Sequence, residues 1–178
     1  DFLIITGGPG TGKTTIMKGI IELYRMMNHL SYEALSEKIA LLAPTGRAAK
    51  RITETTFVRA STIHRFLKWQ KDSNRFQVNE YHRSKVEFVI VDEASMIDTY
   101  LMANLLKGLS ANCKIVLVGD DRQLPSVGPG QVLHDLIHSN QLEVVELTEL
   151  YRQGKDSNIV EFAYDIRGKE LNPYLFNV

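Results

Sequence analysis

The chain has 178 residues, 44% of them hydrophobic and 24% charged, and its 21 Lys and Arg balance its 21 Asp and Glu. A chain of this length buries about 68–70% of its unfolded surface, so this apolar content fills one core without disulfides or metal, and disordered and collagen-like classes are excluded. Zero formal charge excludes a histone-like coat on nucleic acid and confines any such contact to a local groove, and no apolar run approaches the roughly 18 residues of a membrane span.

The chain starts at Asp1 without a methionine and enters an apolar run at once, as a piece of a longer polypeptide would. Phe2 to Thr6 reads as a first strand. It leads into Gly7-Gly8-Pro9-Gly10-Thr11-Gly12-Lys13-Thr14, which fits G-x-x-x-x-G-K-[ST] between a strand and a helix. That is the setting of a phosphate-binding loop. Its glycines let backbone N–H groups converge on phosphate oxygens, and the next helix adds its positive end. The expected contacts to ATP are Gly8, Pro9, Gly10, Thr11, Gly12, Lys13, Thr14 and Thr15, with Lys13 on the β- and γ-phosphates and the Thr14 hydroxyl on Mg²⁺. The alternative is an ordinary glycine-rich turn.

Thr14 to Asn28 carries Ile16, Ile20, Leu23 and Met27 at helical spacing, and Ile39 to Ala43 reads as the next strand. Lys68 to Lys85 is polar, charged and aromatic and reads as an inserted loop or hairpin. Its Trp69, Phe76 and Tyr81 either stack on bases or pack the insertion against the domain. Val86 to Val91 is a third strand ending in Asp92-Glu93. Asp92 is the expected Mg²⁺ partner, and Glu93 the general base that orients an attacking water. An acidic helix start is the plainer reading of the pair.

Tyr100 to Leu109 is a helix with an apolar stripe at Leu101, Leu105, Leu106 and Leu109. The lone Cys113, among Ile115, Val116 and Leu117, suggests a buried thiol in a reducing compartment, and we expect the cytoplasm. A strand at Ile115 to Val118 precedes Gly119-Asp120-Asp121-Arg122-Gln123-Leu124-Pro125, where Gln123 is placed to bond the γ-phosphate or the water. Gly128-Pro129-Gly130 reverses the chain into a helix at Gln131 to Ser139. His134 and His138 have the spacing of a zinc pair on that helix but no third ligand cluster. After a fifth strand at Val144 to Leu147, Arg152 is expected at the same phosphate and the Tyr151 ring against adenine, or both lie in a solvated loop. A last helix, Asn158 to Arg167, stops at Gly168.

The strands read as continuous apolar runs rather than alternations, which parallel strands covered on both faces require. Residues 1–178 are therefore expected to form a single three-layer α/β/α P-loop domain with a mainly parallel five-stranded sheet and a ligand at the carboxyl ends of its strands.

The blocks at 7–14, 43–49 (Ala-Pro-Thr-Gly-Arg-Ala-Ala), 62–65 (Thr-Ile-His-Arg), 91–96 (Val-Asp-Glu-Ala-Ser-Met), 119–125 and 151–153 (Tyr-Arg-Gln) resemble, in this order, the superfamily 1 DNA helicases, and within them the RecD/TraA group. The resemblance implies ATP-driven 5′ to 3′ translocation along single-stranded DNA with duplex unwinding, in recombination and repair. By position, Lys13 and Thr14 fall in helicase motif I, Asp92 and Glu93 in motif II, Gln123 in motif III and Arg152 in motif IV. Pro44, Thr45, Gly46 and Arg47 match motif Ia, and Thr62 and His64 the neighbouring DNA-contacting motif. Hydroxyl, guanidinium and imidazole groups there suit a phosphate backbone and need no base readout, with helix-surface charge as the alternative reading of Arg47 and Arg65.

The implied partners are single-stranded DNA, a second RecA-like domain of the same polypeptide, and recombination or nuclease subunits; no membrane is implied. Motifs V and VI have no counterpart after Arg152. Without the second domain and its arginine, worth about 10³–10⁵ in rate, the 178 residues are expected to hydrolyse ATP poorly. Two rivals remain: a non-catalytic nucleotide switch that docks a protein partner, and a small-molecule kinase, which would leave Glu93 without a role.

Overall fold

The structure is a computed structural model that describes residues 1–124 and 126–148. Its first strand, β1 (Phe2–Gly7), turns through the glycine loop into helix α1 (Lys13–Met27). A second helix, α2 (Tyr32–Lys38), is N-capped by Ser31, whose oxygen accepts the Ala34 N–H at 3.1 Å, and delivers the chain to β2 (Ile39–Ala43). Helix α3 (Gly46–Thr56), strand β3 (Ala60–Thr62) and helix α4 (Ile63–Phe66) follow, then the two-residue strands β4 (Trp69–Gln70) and β5 (Arg75–Phe76). Strand β6 (Phe88–Val91), a single 3₁₀ turn at Ala94–Met96, α5 (Thr99–Gly108), β7 (Lys114–Gly119), α6 (Val132–His138) and β8 (Glu143–Leu147) complete the described chain.

The main sheet has the order β3-β2-β6-β7-β1-β8, and every pairing in it is parallel. Because strand side chains alternate, each strand feeds two cores. Ile4, Leu42, Val89, Val91, Ile115 and Leu117 face α5, α6, α4 and the small hairpin. Their neighbours Ile5, Leu41, Ile90, Val116 and Val118 face α1, α2 and α3. This double burial explains the unbroken apolar runs and gives the three layers.

The sheet has six strands where the apolar runs predict five. The addition is β3, an Ala-Ser-Thr edge strand, half-buried along its length and paired to β2 at Leu41–Ala60, Leu42–Ser61 and Ala43–Thr62. An edge strand needs no continuous apolar run, so composition does not reveal it. Helix α3 is hidden for a related reason: its buried stripe is Ala48, Ala49 and Ile52, with two small side chains. The β6 strand begins at Phe88, two residues later than expected.

The segment at 68–85 is a hairpin at its start. Trp69 opposes Phe76 in the antiparallel pair, with ring centroids 4.7 Å apart. Phe76 is buried in the core cluster and Trp69 packs against it, so packing accounts for both aromatics, while Tyr81 stays exposed. No helix among the described residues is long and apolar enough to cross a membrane. The predicted helix at 158–167 and its stop at Gly168 lie outside the described residues.

On α5, Leu105 is fully buried whereas Leu106 is 43% exposed. Leu105→Ala should therefore lower unfolding stability by about 2–5 kcal/mol. Leu106→Ala should change it by less than about 0.5 kcal/mol, as for surface sites. Urea unfolding of both variants checks the pair; equal losses would mean that α5 is rotated from the orientation described.

Candidate nucleotide site

Between β1 and α1 the backbone must pass through conformations that a side chain resists. Gly10 and Gly12 have φ of +75° and +87°, and Gly12 stands at the N-cap of α1 with no side-chain cap. The first N–H groups of α1 are thus left for a ligand. Thr11 braces the loop from within: it is buried, and its hydroxyl donates to the Gly8 carbonyl at 2.8 Å. The Lys13 ammonium folds back onto the Gly7 and Gly8 carbonyls at 2.5 and 2.9 Å. Both acceptors are neutral, and among the described residues no carboxylate is bonded to this cation.

Asp92 and Glu93 follow the end of β6. The Asp92 N–H donates to the Leu42 carbonyl at 2.9 Å, and its carboxylate Oδ1 accepts the Glu93 N–H at 2.8 Å. Glu93 holds φ 55° and ψ 38°, a left-handed conformation that is uncommon for a non-glycine residue. Both side chains line the same cleft. Burial pushes the Asp92 carboxyl above its ordinary value, and the nearby Glu93 charge adds to this. The Glu93 N–H bond and the Lys13 and Arg51 charges pull the other way without cancelling it.

The floor of the site is close-packed. A Cβ on Gly119, at the end of β7, would lie 2.8 Å from Leu133 Cδ2 and 3.2 Å from the Ser95 nitrogen. The bare backbone at Gly119 lets β7 end directly beside the turn that carries Asp92 and Glu93. Beyond it the buried Asp120 accepts the Arg122 N–H at 3.0 Å, and Asp121 accepts the Thr6 hydroxyl at 3.2 Å, tying this loop to β1.

These segments enclose one cleft of about 520 Å³. Pro9, Gly10, Thr11, Gly12, Lys13, Thr14 and Thr15 line one wall, and Asp92, Glu93, Gly119, Asp120 and Gln123 line the other. Gly8 contributes through its carbonyl rather than as lining. The sequence reading missed Arg51, which lines the same cleft with Nη1 3.8 Å from Glu93 Oε1. It belongs to none of the recognised blocks, and only its position on α3 brings it here. Tyr151 and Arg152 lie outside the described residues.

The donor set suits a magnesium-bound triphosphate. Thr14 and Asp92 offer hard oxygen ligands across the cleft, and Asp92 is a half-buried carboxylate that a cation would neutralise. The open helix start and Lys13 offer positive charge to phosphate oxygens.

The other expected group stands apart from this cleft. Thr45 caps α3, accepting the Ala48 N–H at 3.2 Å, and Thr62 caps α4, accepting the Arg65 N–H at 3.2 Å. Capping uses each oxygen as an acceptor, and the hydroxyl hydrogen is a separate donor. The β2–β3 pairing sets Ala43 opposite Thr62 and so brings the two caps to neighbouring strand ends. Pro44, Gly46 and Arg47 accompany the first, Gly46 and Arg47 exposed. His64 is exposed and lies against the hairpin, its ring 5.8 Å from Phe76 and 6.3 Å, edge-on, from Trp69. His134 and His138 stack at 4.0 Å, and His138 Nδ1 lies 2.8 Å from the His134 carbonyl. No group of three or more metal-ligating side chains occurs among the described residues.

A family model described as an AAA domain matches residues 1–129. The chain is 36% identical over 164 residues to the ATP-dependent RecD2 DNA helicase of Deinococcus radiodurans, covering 92% of this chain and 21% of that protein. It is 37% identical over 170 residues to the RecBCD enzyme subunit RecD of Mycolicibacterium smegmatis, covering 85% of this chain and 30% of that protein. The chain thus spans less than a third of the length of these relatives. In three dimensions it is similar to the Pif1 helicase from Candida albicans, with a TM-score of 0.60 over 97% of this chain and 42% of that one at 21% identity. It is also similar to an arterivirus nonstructural protein 10 helicase in complex with DNA, with a TM-score of 0.53 over 96% of this chain and 42% of that one at 18% identity. At such identities the likeness is one of fold.

The raised Asp92 carboxyl makes a stability test. Above its native value Asp92 is charged and incompletely solvated, which opposes folding. Between the ordinary carboxylate value and that raised value the folded state binds more protons than the unfolded one, so acidification stabilises the fold. Asp92→Asn keeps an acceptor for the Glu93 N–H and should raise the melting temperature of the ligand-free chain at pH 7. The gain should shrink as pH falls through the native Asp92 value; a gain independent of pH would assign it to something other than this charge.

Proposed function

We propose, for a chain that belongs to the AAA domain family as a RecD-like helicase motor domain, that the cleft hydrolyses ATP to drive movement along single-stranded DNA. The observation that carries this is the convergence of the glycine loop, Asp92, Glu93 and Gln123 on one cleft. Lys13 leaves the Gly7 and Gly8 carbonyls for the β- and γ-phosphates, gaining charged acceptors in place of neutral ones. Thr14 and Asp92 would hold Mg²⁺, which would offset charge on the phosphate oxygens. Glu93 orients a water toward the γ-phosphate and takes its proton on the carboxylate. Gln123, exposed at the lip, bonds the phosphate or the water. Arg152 adds charge to the same phosphate and Tyr151 stacks on adenine.

Single-stranded DNA crosses the ends of β2 and β3, where Thr45, Arg47, Thr62 and His64, with the backbone at Pro44 and Gly46, hold its phosphates. Travel is 5′ to 3′, as the RecD/TraA resemblance implies. A second RecA-like domain of the same polypeptide closes over the nucleotide, so the 178 residues alone turn over ATP very slowly. Recombination or nuclease subunits are further partners, since one relative is named as a subunit of the RecBCD enzyme. The buried free thiol of Cys113 suits the reducing cytoplasm.

Glu93→Gln in the polypeptide that carries this chain should cut kcat for ATP by about 10²–10⁴ while ATP affinity is retained. Single-stranded DNA should stimulate the wild-type turnover. Turnover indifferent to both the substitution and DNA would favour a nucleotide switch that docks a protein, and a phosphorylated small-molecule product would favour a kinase. Lys13→Ala should abolish nucleotide binding in equilibrium titration; unchanged affinity would remove Lys13 from the phosphates.

A further inference from the structure

Among the described residues that line the cleft, Arg51 is the cationic side chain that the reaction described above does not use. Its guanidinium lies 3.8 Å from Glu93 Oε1, with side chains 63% and 30% exposed, and it lines the nucleotide cleft from α3. Neither α1 nor the glycine loop carries it. It comes from the helix whose first turn follows Thr45 and contains Arg47. Residues four apart stand on one helix face, so Arg47 and Arg51 share a stripe about 6 Å long. The opposite stripe, Ala48, Ala49 and Ile52, is buried on the sheet.

The surroundings make this stripe a mechanical link. Two of the three buried side chains that seat α3 on the sheet are alanines, the third being Ile52. The start of α3 follows directly on the end of β2, its Thr45 cap beside the α4 cap at Thr62. The Glu93 backbone is held by the Asp92 bond and by the 3₁₀ turn, whose Met96 N–H donates to the Glu93 carbonyl at 3.0 Å. Only the Glu93 side-chain torsions are therefore left to set where the carboxylate points, and Arg51 is the cation beside it. An ion pair this exposed is weak, which lets a small shift of α3 undo it.

We propose that Arg51 is a positioning residue that holds Glu93 away from the water in the resting enzyme and releases it when single-stranded DNA engages the start of α3. The inference rests on the reading of the chain as a DNA-stimulated ATPase. It gives a physical reason for stimulation: the backbone phosphates that bind Arg47 displace the same helix that restrains Glu93.

The test uses the full polypeptide that carries this chain, with kcat and KM for ATP measured with and without an oligothymidylate strand. Arg51→Ala should raise kcat without DNA by about two- to fivefold, the range open to a partly exposed pair. The stimulation ratio should fall by the same factor, and KM should move less than kcat. Arg51→Lys keeps the charge and should restore part of the ratio. A stimulation ratio unchanged in Arg51→Ala overturns the proposal, and so does an equal fall of kcat with and without DNA, which would make Arg51 a phosphate ligand. A wild type that DNA does not stimulate sinks the motor reading and this inference together, whereas a stimulated wild type with an unaltered Arg51→Ala sinks only the inference.

Discussion

Parallel pairing across the whole main sheet is the constraint on which everything else depends. When all strands run the same way, all their carboxyl ends reach one edge, and residues far apart in sequence meet there. Strand β7 lies between β1 and β6, so the glycine loop and the acidic pair stand on either side of the Gly119 strand end. The cleft between them is a consequence of strand order. It persists because both faces of each strand are buried, so a one-residue slip would exchange the two cores.

The charges at that edge are arranged for a ligand rather than for the empty fold. Lys13 is bonded to two carbonyls, and Asp92 is pushed toward its neutral form by burial. The triphosphate and divalent cation proposed above would give each a better-matched partner. Glu93 adds backbone strain through its left-handed conformation. Such concentrations of mismatch and strain at a strand edge are the stability that a fold gives up for chemistry.

The nucleotide cleft and the proposed DNA track are separate, and α3 is the element they share. Its N-terminal turn belongs to the track and Arg51 to the cleft. In the caps at Thr45 and Thr62 the oxygen orders the helix start, and the hydroxyl hydrogen is a separate donor, the one the proposed track would use. The hairpin beyond α4 completes this side, with His64 resting on Trp69 and Phe76.

The sequence by itself determined whatever depends on neighbours in the chain. The glycine loop was legible because contiguous backbone geometry demands those residue types, and Asp92-Glu93 because a carboxylate pair closes an apolar run. The strands of the double-sided core were legible from their unbroken apolar character, and the Trp69–Phe76 hairpin from its composition. Only the tertiary structure decided the rest. The Ala-Ser-Thr strand β3 gains its identity from pairing with β2, and α3 from two alanines that matter only against the sheet. Arg51 lies outside every recognisable block, and its position beside Glu93 follows from strand order and a helix crossing, which sequence spacing does not encode.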